Sequence, residues 1–187
     1  MGKVFDRHNA RAAAANPDGK QRGPNGRRLC RWCGTETQPP RRTFCSDECV
    51  HEWNVRSSAS YARHHVYLRD KGVCCLCGVD TGKQAAELRA EFDVHRYTDR
   101  PSADRRKAFH ARLKTLKIPT SRWYQAGHDG CWDMDHATPV SEGGGSCGLD
   151  NLRTLCMRCH YQQTRRLRQR QKVRRARKRL GCYTIDD

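Results

Sequence analysis

Cysteine spacing limits this chain more than any other feature. Of twelve cysteines in 187 residues, eight fall into paired half-sites: Cys30-x2-Cys33, Cys45-x3-Cys49, Cys74-x2-Cys77 and Cys156-x2-Cys159. Two thiolates two residues apart can grip one tetrahedral ion from a tight turn. Gly34 supplies the permissive backbone after the first pair. Ser46 suits an N-cap and Asp47 and Glu48 the positive end of a helix dipole, so the second pair should open a helix. Cys30, Cys33, Cys45 and Cys49 are therefore expected to hold a structural zinc. VCCLCG offers Cys74 and Cys77 with no partner nearby, and Cys156 with Cys159 could complete it after 78 intervening residues. Loop closure costs little more as a loop lengthens. Cys75 competes with Cys74, but two intervening residues make the better knuckle.

LCMRCH also matches C-x-x-C-H, the attachment pattern of c-type haem. Haem attachment requires export, and residues 1–20 lack the apolar middle of a secretory signal. No stretch is apolar enough to cross a membrane. The expected compartment is intracellular (cytoplasm or nucleoid in a prokaryote or phage), where paired cysteines hold zinc rather than form disulfides. Cys131, Cys147 and Cys182 have no evident partners and are read as free thiols.

With 36% hydrophobic and 30% charged residues, the chain can bury only a modest core, so metal staples are expected to assist. Its formal charge is +17, and two four-thiolate zinc sites would reduce that to about +13. Such a balance favours polyanions, nucleic acid above all, over neutral metabolites.

Along the chain, residues 1–28 read as a mobile basic arm, rich in breakers and without apolar periodicity. Residues 29–72 read as the first zinc module with linking helices; the second of these, over 60–71, has Tyr61, His65 and Leu68 on one face and ends at Gly72. Residues 73–164 form the next domain, with a helical insertion at 83–118 whose apolar side carries Phe109, Leu113 and Leu116. From Arg122 onward short strands and turns are expected, including RWYQ, CWDMDHATPV and NLRTL. The tail, 165–187, contains ten Lys or Arg between Arg165 and Arg179. A helix there would bring like charges together three and four residues apart, which phosphates would neutralise. Arg165, Arg166, Arg168, Arg170, Lys172, Arg174 and Arg175 are thus the candidate nucleic-acid contacts.

The informative pattern is Asp135-His136-x14-Asn151-x8-His160. With WDMDHATPVSEGGG and GLDNLRTLCMRCH around it, the chain resembles the HNH nucleases, the branch of the ββα-metal nucleases braced by a four-cysteine zinc site. It looks especially like the subgroup found free-standing in bacteria and phages and fused to Snf2-type annealing helicases in animals; FCSDECVHEW and GVCCLCGVDT continue the likeness. The resemblance spans roughly residues 30–170. It implies an α+β fold: a small zinc-stabilised ββα-metal core with an N-terminal four-cysteine module and additional helices.

The same resemblance implies roles. His136 would be the general base, and Asp135 and His160 would hold one divalent ion, magnesium or manganese. Asn151 would orient the His136 ring or the hairpin loop. Cys74, Cys77, Cys156 and Cys159 would hold the second structural zinc. Because adjacent strand residues point opposite ways, Asp135 and His136 can cooperate only if the strand end bends, which Thr138-Pro139 and the EGGG loop allow. His128, Asp129 and Asp133 are not assigned to the site. The expected activity is hydrolysis of phosphodiester bonds in DNA, by nicking or structure-selective cutting with low sequence specificity; RNA is not excluded. The alternative is a non-catalytic, zinc-stabilised nucleic-acid-binding protein.

Overall fold

The computed structural model describes residues 10–97, 103–126 and 130–180. Candidates His128, Asp129 and Cys182 lie outside these, as do residues 1–9 of the basic arm. The chain divides into two compact units that interleave along the sequence: Met1–Lys71 with Met134–Thr154, and Gly72–Asp133 with Leu155–Asp187.

In the first unit, the stretch expected to be a mobile arm is structured from residue 10 onward. A short helix, α1 (Ala10–Ala13), precedes Asn16, which is 1% exposed. The Asn16 amide donates to Leu29 O at 2.8 Å, and its backbone N–H donates to Arg31 O at 3.1 Å. This buried amide, with Ala15 N–H donating to Trp32 O and the Arg31 guanidinium donating to Pro17 O, ties residues 15–17 to the cysteine module, links that hydropathy patterning does not register.

Helix α2 (Asp47–Ser57) starts where the capping residues predict, with the Ser46 hydroxyl accepting from Cys49 N–H. Ser58 then both closes α2, donating its N–H to Asn54 O, and caps α3 (Ala59–Asp70) by accepting from Tyr61 N–H. The buried face of α3 is Ala62 and Val66, not the expected stripe through Leu68, which is exposed. Tyr61 and His65 are half-buried, stacking on each other and on His51. Lys71, at φ 52°, caps the helix ahead of Gly72. Trp53 packs against Phe44 with the Arg31 guanidinium over its ring at 4.1 Å.

The second unit is mainly helical. Helices α4 (Thr81–Tyr97), α5 (Ala103–Thr115) and α6 (Thr120–Ala126) bury Ala85, Leu88, Phe109, Leu113, Ile118 and Trp123 in one cluster with Cys131 and Met157. RWYQ is therefore helix α6 rather than the expected strand. Pro119 O accepts from Trp123 N–H, and the buried indole fixes the helix face.

Strands β1 (Trp132–His136) and β2 (Leu152–Cys156) form a two-stranded antiparallel sheet. Helix α7 (Met157–Arg179) follows β2 directly. Met157 and Cys159 anchor its first turn in the interior, and all seven candidate nucleic-acid contacts are exposed on it. No helix among the described residues is long and apolar enough to cross a membrane.

Candidate active site

The β1–β2 connection carries the first part of the site. After His136 the chain turns through Ala137 and Thr138, passes Gly143 at φ 98°, and returns through a short 3-10 turn at Leu149–Asn151. Ala137 N–H donates to Asn151 O at 2.9 Å, closing the hairpin. The Asn151 side chain bridges this loop from inside. Its oxygen accepts from Thr138 N–H at 2.7 Å, and its amide donates to Thr138 O at 3.1 Å and Gly144 O at 3.0 Å. These three hydrogen bonds of the Asn151 side chain all run to the loop. Gly144 is required there, because an added Cβ would lie 1.8 Å from Thr138 O and 2.7 Å from the Asn151 amide nitrogen.

Asp135 is held by Arg153 across the hairpin, with Nε and Nη2 donating to one carboxylate oxygen at 3.0 and 2.8 Å. His136 is half-buried beside it in sequence. The segment bearing Asn151 and Arg153 is in turn gripped by the end of α3. Arg69 donates to Leu149 O at 2.6 Å and Leu152 O at 2.7 Å, while Asp70 accepts from Thr154 N–H at 2.9 Å. Burial pushes the Asp70 carboxyl up, but hydrogen bonds from Arg69 and Thr154 outweigh it and hold the group below the usual carboxylate range. Arg69, Asp70 and Arg153 escaped sequence reasoning. The first two lie some 80 residues from their partners; only Arg153, at the alternating position two after Asn151, gave a local signal.

In the second unit, His160 occupies the first turn of α7, half-buried, with Nδ1 3.6 Å from a carboxylate oxygen of Asp133. Arg122 reaches the same oxygen at 3.2 Å and Trp132 O at 2.9 Å. Asp133, left unassigned by sequence, is therefore the carboxylate beside His160 within that unit.

Both sulfur quartets assemble as expected. Ligand atoms of Cys30, Cys33, Cys45 and Cys49 all lie within 4.8 Å of one another, as do those of Cys74, Cys77, Cys156 and Cys159. Individual sulfurs approach to 3.4 Å (Cys33–Cys45), 3.5 Å (Cys45–Cys49) and 3.7 Å (Cys77–Cys156). A tetrahedral tetrathiolate with Zn–S of about 2.3 Å spaces its sulfurs by about 3.8 Å, so both sets fit such an ion. Cys74 is 1% exposed, whereas Cys75 faces solvent, which settles the competition between them.

Each quartet contains one thiol inclined to ionise. Burial raises Cys33, but hydrogen bonds from Thr35, Cys45 and Cys30 prevail and hold it at about 6. Burial likewise raises Cys74, yet backbone N–H groups of Cys156, Leu76 and Cys77 hold it at about 7. Others are shifted the opposite way: burial and adjacent sulfurs push Cys45 up to about 12, and burial pushes Cys156 up to about 11. Four sulfurs this close cannot all ionise without a cation, so metal binding would expel protons. Of the leftover cysteines, Cys131 is fully buried and pushed up to about 11 by burial, an inert core thiol. Cys147 is half-buried, raised by burial and hydrogen-bonded to Asn151.

Residues 125–166 match the model of the HNH endonuclease family. The DNA annealing helicase and endonuclease ZRANB3 of Mus musculus is 36% identical over 164 residues, which is 80% of this chain and 14% of the mouse protein. The Homo sapiens protein of the same name is 37% identical over 137 residues, 71% of this chain and 12% of that one. The chain thus spans a small part of the length of these relatives. The crystal structure of the human ZRANB3 HNH domain is 36% identical, covering 64% of this chain and 97% of that one with a TM-score of 0.44.

Proposed function

Since the chain belongs to the HNH endonuclease family, we propose that it is a metal-dependent endonuclease hydrolysing phosphodiester bonds in DNA, by nicking or structure-selective cutting with low sequence specificity. The observation that carries this reading is the Asn151 clamp on the turn that follows Asp135 and His136, inside the segment matching the family.

His136 is the proposed general base. A neutral imidazole, with an ordinary pKa near 6.5, can accept the proton of an attacking water at cellular pH. Asn151 fixes the strand end on which that imidazole sits, limiting its approach to one geometry. Asp135 and His160 are the proposed ligands of the catalytic divalent ion, magnesium or manganese. An ion so held supplies charge relief at the scissile phosphate and the departing 3′-oxygen. Arg153 orients the Asp135 carboxylate and partly neutralises it, so the ligand is pre-placed rather than swinging freely. The products, by family resemblance, carry 5′-phosphate and 3′-hydroxyl ends. Zinc in both sulfur quartets is the structural complement, and the exposed cations of α7 (Arg165, Arg166, Arg168, Arg170, Lys172, Arg174 and Arg175) would meet phosphates.

One observation favours a second reading. The Arg153–Asp135 ion pair satisfies the carboxylate with no metal, as suits a non-catalytic, zinc-stabilised nucleic-acid-binding protein. Supercoiled plasmid nicking with magnesium or manganese separates the two. The nuclease reading expects the parent to nick and His136→Ala to lose on the order of 10²–10⁴ in rate with zinc content unchanged. A parent that nicks with neither ion supports the binding protein instead.

A further inference from the structure

The N-terminal module contains a second feature that suits nucleic acid and takes no part in the chemistry above. Arg22, Arg27, Arg28, Arg41 and Arg42 line one cleft of about 420 Å³ with Thr37, and no acidic side chain lines it. The backbone beneath is fixed. Arg22 and Arg28 face each other across an antiparallel bridge, and the turn between them is closed by Gly23 N–H to Arg27 O at 2.9 Å. Arg28 O accepts from both the N–H and the hydroxyl of Thr37, which is 3% exposed. Cys30 follows two residues later, so the first sulfur quartet holds the cleft's floor.

Like charges set opposite each other on paired strands destabilise a hairpin, and here three more guanidiniums join them. Some are accommodated internally. Arg22 donates to Gly26 O at 2.8 Å, Arg27 donates to the Gln38 side chain, and Arg41 pairs with Asp47 at 2.7 Å. The nearby carboxylate of Glu36 is taken up by Asn25. Arg28 and Arg42 have no side-chain hydrogen bond or ion pair among the described residues. A concave surface whose charged lining residues are all arginines, two of them uncommitted planar forks, matches phosphate oxygens. No aromatic ring lines the cleft, so bases have nothing to stack on and the strand would be held by its backbone.

We propose that this cleft is a phosphate clamp, built on the first sulfur quartet, that grips the phosphodiester backbone of a DNA strand without regard to sequence. From the nuclease reading it takes only the identity of the polyanion.

Fluorescence anisotropy with a labelled DNA duplex, in the full chain without added divalent ion, tests it. Arg28→Ala/Arg42→Ala should bind roughly tenfold more weakly near physiological salt and lower the slope of log K against log salt by about 2, one phosphate contact per arginine. Lys83→Ala/Arg89→Ala removes the same charge from exposed positions on α4 and should change both much less. Equal losses in the two double variants, or no loss in the first, would overturn the clamp. A second measurement needs no variant: phenylglyoxal modification of the parent, read by mass spectrometry, should spare Arg28 and Arg42 when duplex is bound. Unchanged labelling overturns the proposal, as does equal protection by inorganic phosphate at matched phosphate concentration, which would mark a site for the free anion. Nicking is not read in either assay. A chain that binds through this cleft but never cuts would refute the nuclease reading and leave the clamp standing.

Discussion

The two sulfur quartets use the same chemistry to solve different problems. The first draws all four sulfurs from residues 30–49, within one local module. The second joins Cys74 and Cys77 to Cys156 and Cys159 across 78 residues, and those last two open α7 directly after β2. It is also embedded in an apolar cluster with Leu155 and Val79. A metal at the first site would staple a loop; at the second it would fix where the helix bearing His160 begins. Lengthening the closed loop from 11 to 78 residues raises the closure entropy by roughly 2 kcal/mol, so the distant quartet should stabilise the fold more.

Removing one ligand from each quartet should give the largest effect and the clearest separation. Cys159→Ser and Cys33→Ser should each lose one of two zinc equivalents, since three-sulfur remnants bind far more weakly. Cys159→Ser should lose several kcal/mol of stability, against apparent structural-zinc binding energies of about 10 kcal/mol or more, and Cys33→Ser roughly 2 kcal/mol less. Metal analysis alongside thermal melts checks both, and identical melting losses would erase the distinction drawn from loop length.

Asp70→Asn probes the unit that holds the local quartet without removing a sulfur. Its carboxyl lies below the ordinary range in the fold, so its contribution is fully present above the ordinary carboxylate pKa of about 3.9 and is lost as pH falls through the folded value. The variant should be less stable by about 1–3 kcal/mol at neutral pH, with both zinc equivalents still bound there, and show a shallower decline than the parent below about pH 4. Denaturant melts across pH 2.5–7 (~) report this.

The smallest effect should come from Ser46→Ala, which removes the cap on α2 beside Cys49. A loss of about 1 kcal/mol, with weaker metal retention at the first quartet and unchanged retention at the second, would confirm that the two sites are energetically separate.

What the sequence made legible follows from range. Half-site spacing picked out the eight sulfurs that assemble into the two quartets, and capping residues located the start of α2, because each half-site and each cap is set within a few residues. The paired strands around the glycine loop and Asn151 as a loop holder were legible for the same reason. The RWYQ segment was misread because burial of Trp123 against Phe109 and Ile118, rather than its own pattern, selects helix. The basic arm looked mobile because what orders it is one buried amide, Asn16, and a set of backbone hydrogen bonds. Arg69 and Asp70 were invisible as site supports because charged side chains read as solvated surface until their partners, some 80 residues away, are known.

Asp135→Ala, assayed for plasmid nicking and for bound zinc in the same preparation, tests the central claim most directly: the hydrolytic centre is chemically distinct from both sulfur-bound ions. Nicking should require added magnesium or manganese in the parent and disappear in the variant, while both proteins keep two zinc equivalents. Undiminished nicking by the variant, or loss of a zinc equivalent with the carboxylate, would contradict it.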